Sequence, residues 1–192
     1  MKLSTREMVL AGVFTALACC FAVVFRLVQP ALVPYSLLPM AALLAGGLLP
    51  RRVALASMTA YALIGLAGIP VFAAPPFGGL IYIFKPTFGF ILGFCLAAYL
   101  VAWLLERTGR TWITYLAASI AGILAIYLVG LPYLYFILKF YLGQTVNVFR
   151  VLQIGFWPFI GLDLLKAVLA ALILHRAGRI ITPESEQIGI TS

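Results

Sequence analysis

Charge is scarce in this sequence. Only 9% of its 192 residues are Asp, Glu, Lys or Arg, against 65% hydrophobic, and the mean hydropathy is +1.15. A soluble domain carries roughly a quarter charged residues, because its surface faces water. A chain this poor in charge must be covered by lipid instead. Histidine occurs once, as His175, and there is no HExxH and no GxSxG, so metal-hydrolase and serine-hydrolase chemistry lack their equipment. A GxxxxGK[ST] phosphate loop is missing too, so the chain is no P-loop ATPase by itself. The three cysteines, Cys19, Cys20 and Cys95, have no CxxC or metal-ligand spacing. Cys19 and Cys20 are adjacent and point to different sides of one helix; they read as small packing residues, with a redox role as the alternative. The expectation is a protein that is not an enzyme and has no metal, cofactor or catalytic residues of its own.

What is present is apolar sequence in long runs. A spanning helix needs about 20 apolar residues, so six spans with short loops use nearly the whole chain and leave no room for a soluble catalytic domain. The predicted fold is all-α and integral to the membrane, one domain over residues 1–192. Its six transmembrane helices are expected at roughly 7–26, 35–49, 53–70, 86–105, 111–141 and 156–176. Ser4 and Glu7 fit a capping box opening the first helix. That helix is expected to be a retained span rather than a cleaved signal. Gly130-Leu131-Pro132 is a possible kink in the fifth span, and 143–147 read as a polar connection. Residues 70–85 hold three prolines and a Gly-Gly pair yet almost no charge. Irregular apolar backbone at membrane depth is tolerated only where protein buries it or it lines a cavity, so this broken segment reads as a pocket wall or lid, or else as an interfacial loop.

The net charge of +8 is explained by topology. With both termini cytoplasmic, Lys2, Arg6, Arg51, Arg52, Arg107, Arg110, Arg176 and Arg179 fall inside, and only Arg26, Lys85, Lys139 and Arg150 fall outside. That bias is the positive-inside rule and needs no nucleic-acid partner.

The sharpest local signal is Asp163 and Lys166 within the last apolar run. An ionisable residue there costs at least about 2.5 kcal/mol even on the most lenient insertion scale. At spacing i, i+3 the two share a helix face, and Asp163 lies roughly 10 Å in from the outer end at 1.5 Å rise per residue. The pair either faces an outward-opening cavity, where Lys166 holds an anionic or carbonyl group, or forms an ion pair that fixes helix register. Outside cations such as Arg26 and Lys85 either draw in a carboxylate or snorkel to headgroups. On the first helix, Gly12 with Ala16, and Ala18 with Ala22, give small-xxx-small spacing that lets another helix approach, from a partner or from the chain itself.

At this point the sequence resembles the BioY family, the biotin-specific substrate-binding (S) subunits of energy-coupling-factor (ECF) transporters. The likeness is carried by Val33-Pro34-Tyr35-Ser36-Leu37, by Leu43-Leu44-Ala45-Gly46-Gly47, and by the run 61–73 with Gly68-Ile69-Pro70-Val71-Phe72 at its core. Gly78-Gly79, Pro86-Thr87-Phe88-Gly89-Phe90 and Trp157-Pro158-Phe159-Ile160-Gly161-Leu162-Asp163-Leu164-Leu165-Lys166 follow in the same order. The resemblance implies a six-helix fold in the plasma membrane that binds biotin at its outward face. It implies a membrane coupling subunit and two cytoplasmic ATPase subunits as partners, so ATP is hydrolysed by those partners. Asp163 and Lys166 carry over as ligand-binding residues, and Gly12 and Ala16 as the face that docks the coupling subunit.

On this reading ligand is caught between the broken segment and the outer ends of the spans, at Tyr35, Ser36, Gly79, Thr87 and Asp163. Its carboxylate pairs with Lys166 or Lys85, and its apolar part lies against Phe72, Tyr82 and Phe84. Several positions depart from the family pattern: Leu38 stands where Gln is usual, Lys85 and Phe88 for Gly, Phe90 for Tyr, and Leu162 for Gly. These suggest a more apolar pocket, suited also to lipoate or another carboxylate vitamin. A stand-alone proton-coupled carrier, with Asp163 and Lys166 as the relay, is the reading from another class.

Overall fold

The computed structural model describes residues 3–28 and 36–181, and among these every regular element is helical. The helices are α1 (Thr5–Val28), α2 (Leu38–Leu48), α3 (Arg51–Leu66), α4 (Phe88–Thr108), α5 (Trp112–Phe136), α6 (Val148–Gly155) and α7 (Trp157–Ile181). A 3-10 turn covers Leu80–Phe84, and a π-helical turn, Ile137–Tyr141, extends α5.

Local chemistry accounts for several ends. The Ser4 amide donates to Glu7 Oε2 at 2.8 Å and the Glu7 amide to Ser4 Oγ at 3.3 Å, a reciprocal cap on α1. Thr111 and Thr114 exchange the same pair of bonds at the start of α5. Pro132 sits inside α5 without ending it: the helix runs on to Phe136, although Pro132 has no N–H to give the Leu128 carbonyl.

Among the described residues, four stretches are long and apolar enough to cross a membrane: Thr5–Val24, Phe88–Thr108, Trp112–Tyr141 and Trp157–Ala177. Of the six predicted spans, the first, fourth, fifth and sixth are met by such helices, while the second and third fall on shorter ones. Helices α2 and α3 have 11 and 16 residues, about 16 and 24 Å at 1.5 Å per residue, against a hydrocarbon core of about 30 Å. Helix α2 is apolar on every side, with Leu38, Pro39 and 41–47 all buried among its neighbours, as expected of a helix with no solvent or lipid face. The residues before the last span, left without structure in the sequence reading, form α6.

In a membrane, lipid is as apolar as leucine, so helices associate through close packing rather than hydrophobic exclusion. Glycine supplies that closeness here. A Cβ on Gly46 of α2 would stand 2.6 Å from the Ala98 carbonyl of α4, and one on Gly93 of α4 would stand 2.8 Å from the Ile126 carbonyl of α5. Helix α1 packs inward with Ala11, Thr15, Ala18 and Ala22, and Thr15 Oγ1 reaches the Ser57 carbonyl of α3 at 2.9 Å. Of the two small-residue pairs on α1, Ala18 and Ala22 are thus internal. Gly12 and Ala16 lie on the exposed side, with nothing within 4 Å of a Cβ built on Gly12.

One end of the bundle is tied by Arg51, whose amide donates to Glu106 Oε1 at 3.1 Å and whose Nε lies 3.4 Å from Oε2. At the other end, Arg26 closing α1 donates to the Pro70 carbonyl at 3.0 Å and lies 4.4 Å over the Phe77 ring. That grip answers the sequence question about Arg26. It holds the non-helical stretch 67–79 against the bundle, where the Gly79 amide also donates to the Gly65 carbonyl at 2.7 Å.

Candidate functional site

Short α2 leaves space above its first turn, and a cavity of about 580 Å³ fills it. That is within the ordinary range for small-molecule sites, about 300–1,000 Å³. Leu38 and Pro39 of α2 form its floor, and α4, α5, α6 and α7 its sides. Tyr61 of α3, Ala73 and Ala74 of the non-helical stretch and Tyr82 of the 3-10 turn complete the wall. The lining is mostly carbon, with polar groups converging at one place.

That place is on α7. Lys166 Nζ donates to Asp163 Oδ1 at 2.7 Å, and the two side chains are 14% and 10% exposed. Spacing i, i+3 puts both on the α7 face that meets the cavity. Tyr127 of α5 donates its hydroxyl to the other oxygen, Oδ2, at 2.5 Å. Its ring is held edge-on by Phe90 at 6.2 Å and Phe156 at 5.0 Å between centroids. Both carboxylate oxygens therefore have a donor, while Lys166 has three N–H groups and spends one on Asp163. The cluster carries no net charge. It can donate from Lys166 to a ligand oxygen and still accept a ligand N–H on the remaining Asp163 lone pairs.

A second, uncharged polar pair also lines the cavity, where Tyr82 Oη and Thr87 Oγ1 are 3.2 Å apart. Either hydroxyl of that pair can be the donor. Ser36 also borders the cavity, and its Oγ accepts the Leu38 amide at 3.1 Å, so part of its hydrogen-bonding capacity goes to opening α2.

The residues expected at the site separate into two groups. Asp163, Lys166, Tyr82, Thr87 and Ser36 line the cavity. Phe72 does not: fully buried, it packs behind the wall, 4.3 Å from Tyr82 and 5.7 Å from Tyr61 between ring centroids, and props Tyr82 from outside. Phe84 turns away and stacks on Tyr141 at 4.8 Å. Lys85 is exposed and borders no part of the cavity, so a carboxylate inside has Lys166 as its cation. Gly79 serves the backbone, entering the 3-10 turn at φ +91°, a conformation glycine adopts without the Cβ penalty. Tyr35 lies outside the described residues.

Tyr127 and the α6 residues Ile154 and Gly155 join the lining without having been singled out in the sequence, and Phe90, noted there as a departure from the family pattern, lines it too. Tyr127 did have a signal. A tyrosine deep in an apolar helix needs an acceptor for its hydroxyl, and Asp163 is the one acidic residue away from the ends of the predicted spans.

Comparison with known proteins gives a consistent picture. The sequence pattern of the BioY family matches residues 1–182. The chain is 36% identical over 88 residues to a biotin transporter BioY of Thermotoga maritima, covering 46% of this chain and 47% of that one. It is 35% identical over 89 residues to a probable biotin transporter BioY of Lysinibacillus sphaericus, covering 46% and 45%. These matches span about half the length of the curated relatives. A crystal structure described as the S-component for biotin from an ECF-type ABC transporter superposes with a TM-score of 0.71 over 93% of this chain and 95% of that one, at 22% identity. That likeness is one of fold.

Proposed function

The chain belongs to the BioY family, and from that premise we propose that it is the substrate-capturing subunit of an ECF-type importer with biotin as its cargo. One observation carries the proposal: the Tyr127–Asp163–Lys166 cluster at the wall of an otherwise apolar cavity of ligand size. Biotin pairs a polar ureido ring with an apolar body and a carboxylate tail. Lys166 donates to a ligand oxygen, Asp163 accepts a ligand N–H, and the carbon-rich walls around Leu38, Phe90 and Tyr82 take the apolar body.

In this reading the chain is one membrane domain whose helices cross the plasma membrane six times, with both termini in the cytoplasm. Helices α2 and α3 cross as short elements enclosed by the long ones, and the non-helical stretch 67–79 completes the outer half of the crossing. The positive-inside bias supports that orientation. The exposed Gly12–Ala16 face of α1, free of internal contacts at Gly12, docks a membrane coupling subunit, and two cytoplasmic ATPase subunits hydrolyse the ATP. The work of this chain is binding and hand-over, with no cofactor of its own.

A second cargo is favoured by one residue. Leu38 lines the cavity where the family resemblance has Gln, and a leucine cannot hydrogen-bond a ureido ring, so lipoate competes with biotin as the ligand. Calorimetric titration of the purified, detergent-solubilised protein decides between them. Tight one-to-one binding of biotin is expected. Binding of lipoate with none of biotin would keep the importer and overturn the cargo, and binding of neither would overturn the capture function.

A further inference from the structure

Tyr127 presents a puzzle that packing does not solve. It is 4% exposed, and its ring contacts with Phe90 and Phe156 are ones a phenylalanine would make equally well. The hydroxyl is therefore an addition, and a buried hydroxyl is costly unless it is bonded. Its bond goes to Asp163 Oδ2, the oxygen that Lys166 leaves free.

We propose that Tyr127 is a positioning residue for ligand binding: acting through Asp163, its hydroxyl keeps the Lys166 ammonium directed at the cavity. The inference rests on the capture function proposed above. Lys166 and Asp163 sit on the same helix, and a lysine has a flexible four-carbon stem with three donors. Left to themselves, they can close into a two-point pair in which the ammonium engages both oxygens. Each N–H turned to the carboxylate is one fewer for the ligand. Tyr127 prevents this from a different helix, occupying Oδ2 and fixing the carboxylate plane between α5 and α7. Lys166 then holds Oδ1 alone and keeps two N–H groups for a ligand oxygen. Hydrogen-bonded chains of this kind act as a unit in a low-dielectric interior, so removing the far member is felt at the near one.

The test is a double-mutant cycle. Wild type, Tyr127→Phe, Asp163→Asn and the double variant are titrated calorimetrically with biotin, with lipoate in its place should wild type bind only that. Tyr127→Phe is expected to weaken binding at least tenfold in the wild-type background and less than twofold when Asp163 is already Asn. Wild-type affinity in Tyr127→Phe overturns the proposal. An equal loss in both backgrounds also overturns it, since Tyr127 would then act directly on the ligand or through packing. A ligand-free measurement stands beside the cycle, because Asp163 is the chain's one aspartate. Aspartate labelled with ¹³C at its side-chain carboxylate reports this group alone, and its signal in the wild-type protein is expected to move on Tyr127→Phe. An unmoved signal refutes the link even if neither ligand binds, so failure of the cargo and failure of the positioning role are told apart.

Discussion

Replacing Lys166 with Met tests whether the cavity pair is a functional device or a structural one. The side chains of Lys166 and Asp163 are 14% and 10% exposed, so the variant leaves a carboxylate in an apolar wall without its counter-charge. Removing one partner of a buried pair costs about 3–5 kcal/mol. The lower figure applies, because Tyr127 still satisfies Oδ2 at 2.5 Å. For a chain of this size each kcal/mol moves the thermal midpoint by about 2–4 °C, so a loss of about 3 kcal/mol lowers it by about 6–12 °C. Adding Asp163→Asn removes the orphaned charge and is expected to restore most of the loss, since neutral replacements of buried pairs are often tolerated. Ligand binding should behave differently. It falls at least tenfold in the single variant and stays lost in the double variant, because the donors are gone in both. The assays are thermal unfolding in detergent, followed by size-exclusion recovery, and calorimetric titration of the same samples. Equal midpoints for the single and double variants would refute the charge argument, and wild-type affinity in either would remove Lys166 from the site.

Gly12→Trp places a large side chain on an exposed face of α1 with nothing within 4 Å; co-purification with the coupling subunit should be lost while ligand affinity is unchanged, and normal assembly would put the docking face elsewhere. Gly93→Leu drives a Cβ to within 2.8 Å of the Ile126 carbonyl, an overpacking that costs about 1–3 kcal/mol or more, read as a lower thermal midpoint; an unchanged midpoint would mean that α4 and α5 are not in close contact. Leu38→Gln puts an amide on the cavity floor and is expected to raise biotin affinity relative to lipoate, measured by competition; no change in the ratio would mean that the ureido ring lies elsewhere.

The parts legible in the sequence are those whose physics is local. Asp163 and Lys166 stood out because an apolar span penalises every ionisable group, and their spacing put them on one face without knowledge of any other helix. Tyr127 did not stand out, because one tyrosine among the four of α5 looks like packing and its acceptor is 36 residues away. Phe72, Phe84 and Lys85 belong to a segment whose backbone has no fixed period, so composition marked the segment while nothing said which side chains face inward. Helix α6 was hidden by its shortness. Its capping Asn147, which accepts the Arg150 amide at 2.8 Å, and its apolar Val148, Val151 and Leu152 at helical spacing were in plain view. The eight residues were too few to register as a span. The brevity of α2 is partly visible in the sequence, where 35–49 is already the shortest predicted span, and flanking apolar residues make the 11-residue helix look longer than it is.

The neutrality of the Tyr127–Asp163–Lys166 cluster has an electrical consequence. If this chain acts as the importer subunit proposed above, reorienting between outward and inward states, it carries its intramembrane charges through the transmembrane potential. Because Lys166 cancels Asp163, the empty site sums to zero, and its return to the outside does no work against the field. Loading a carboxylate vitamin changes this by one negative charge. Moving that charge toward an interior held at −100 mV costs about 2.3 kcal/mol, close to a fiftyfold bias against inward delivery. On that proposal the asymmetry falls wholly on the loaded stroke, the one that the proposed ATP-hydrolysing partners would have to drive.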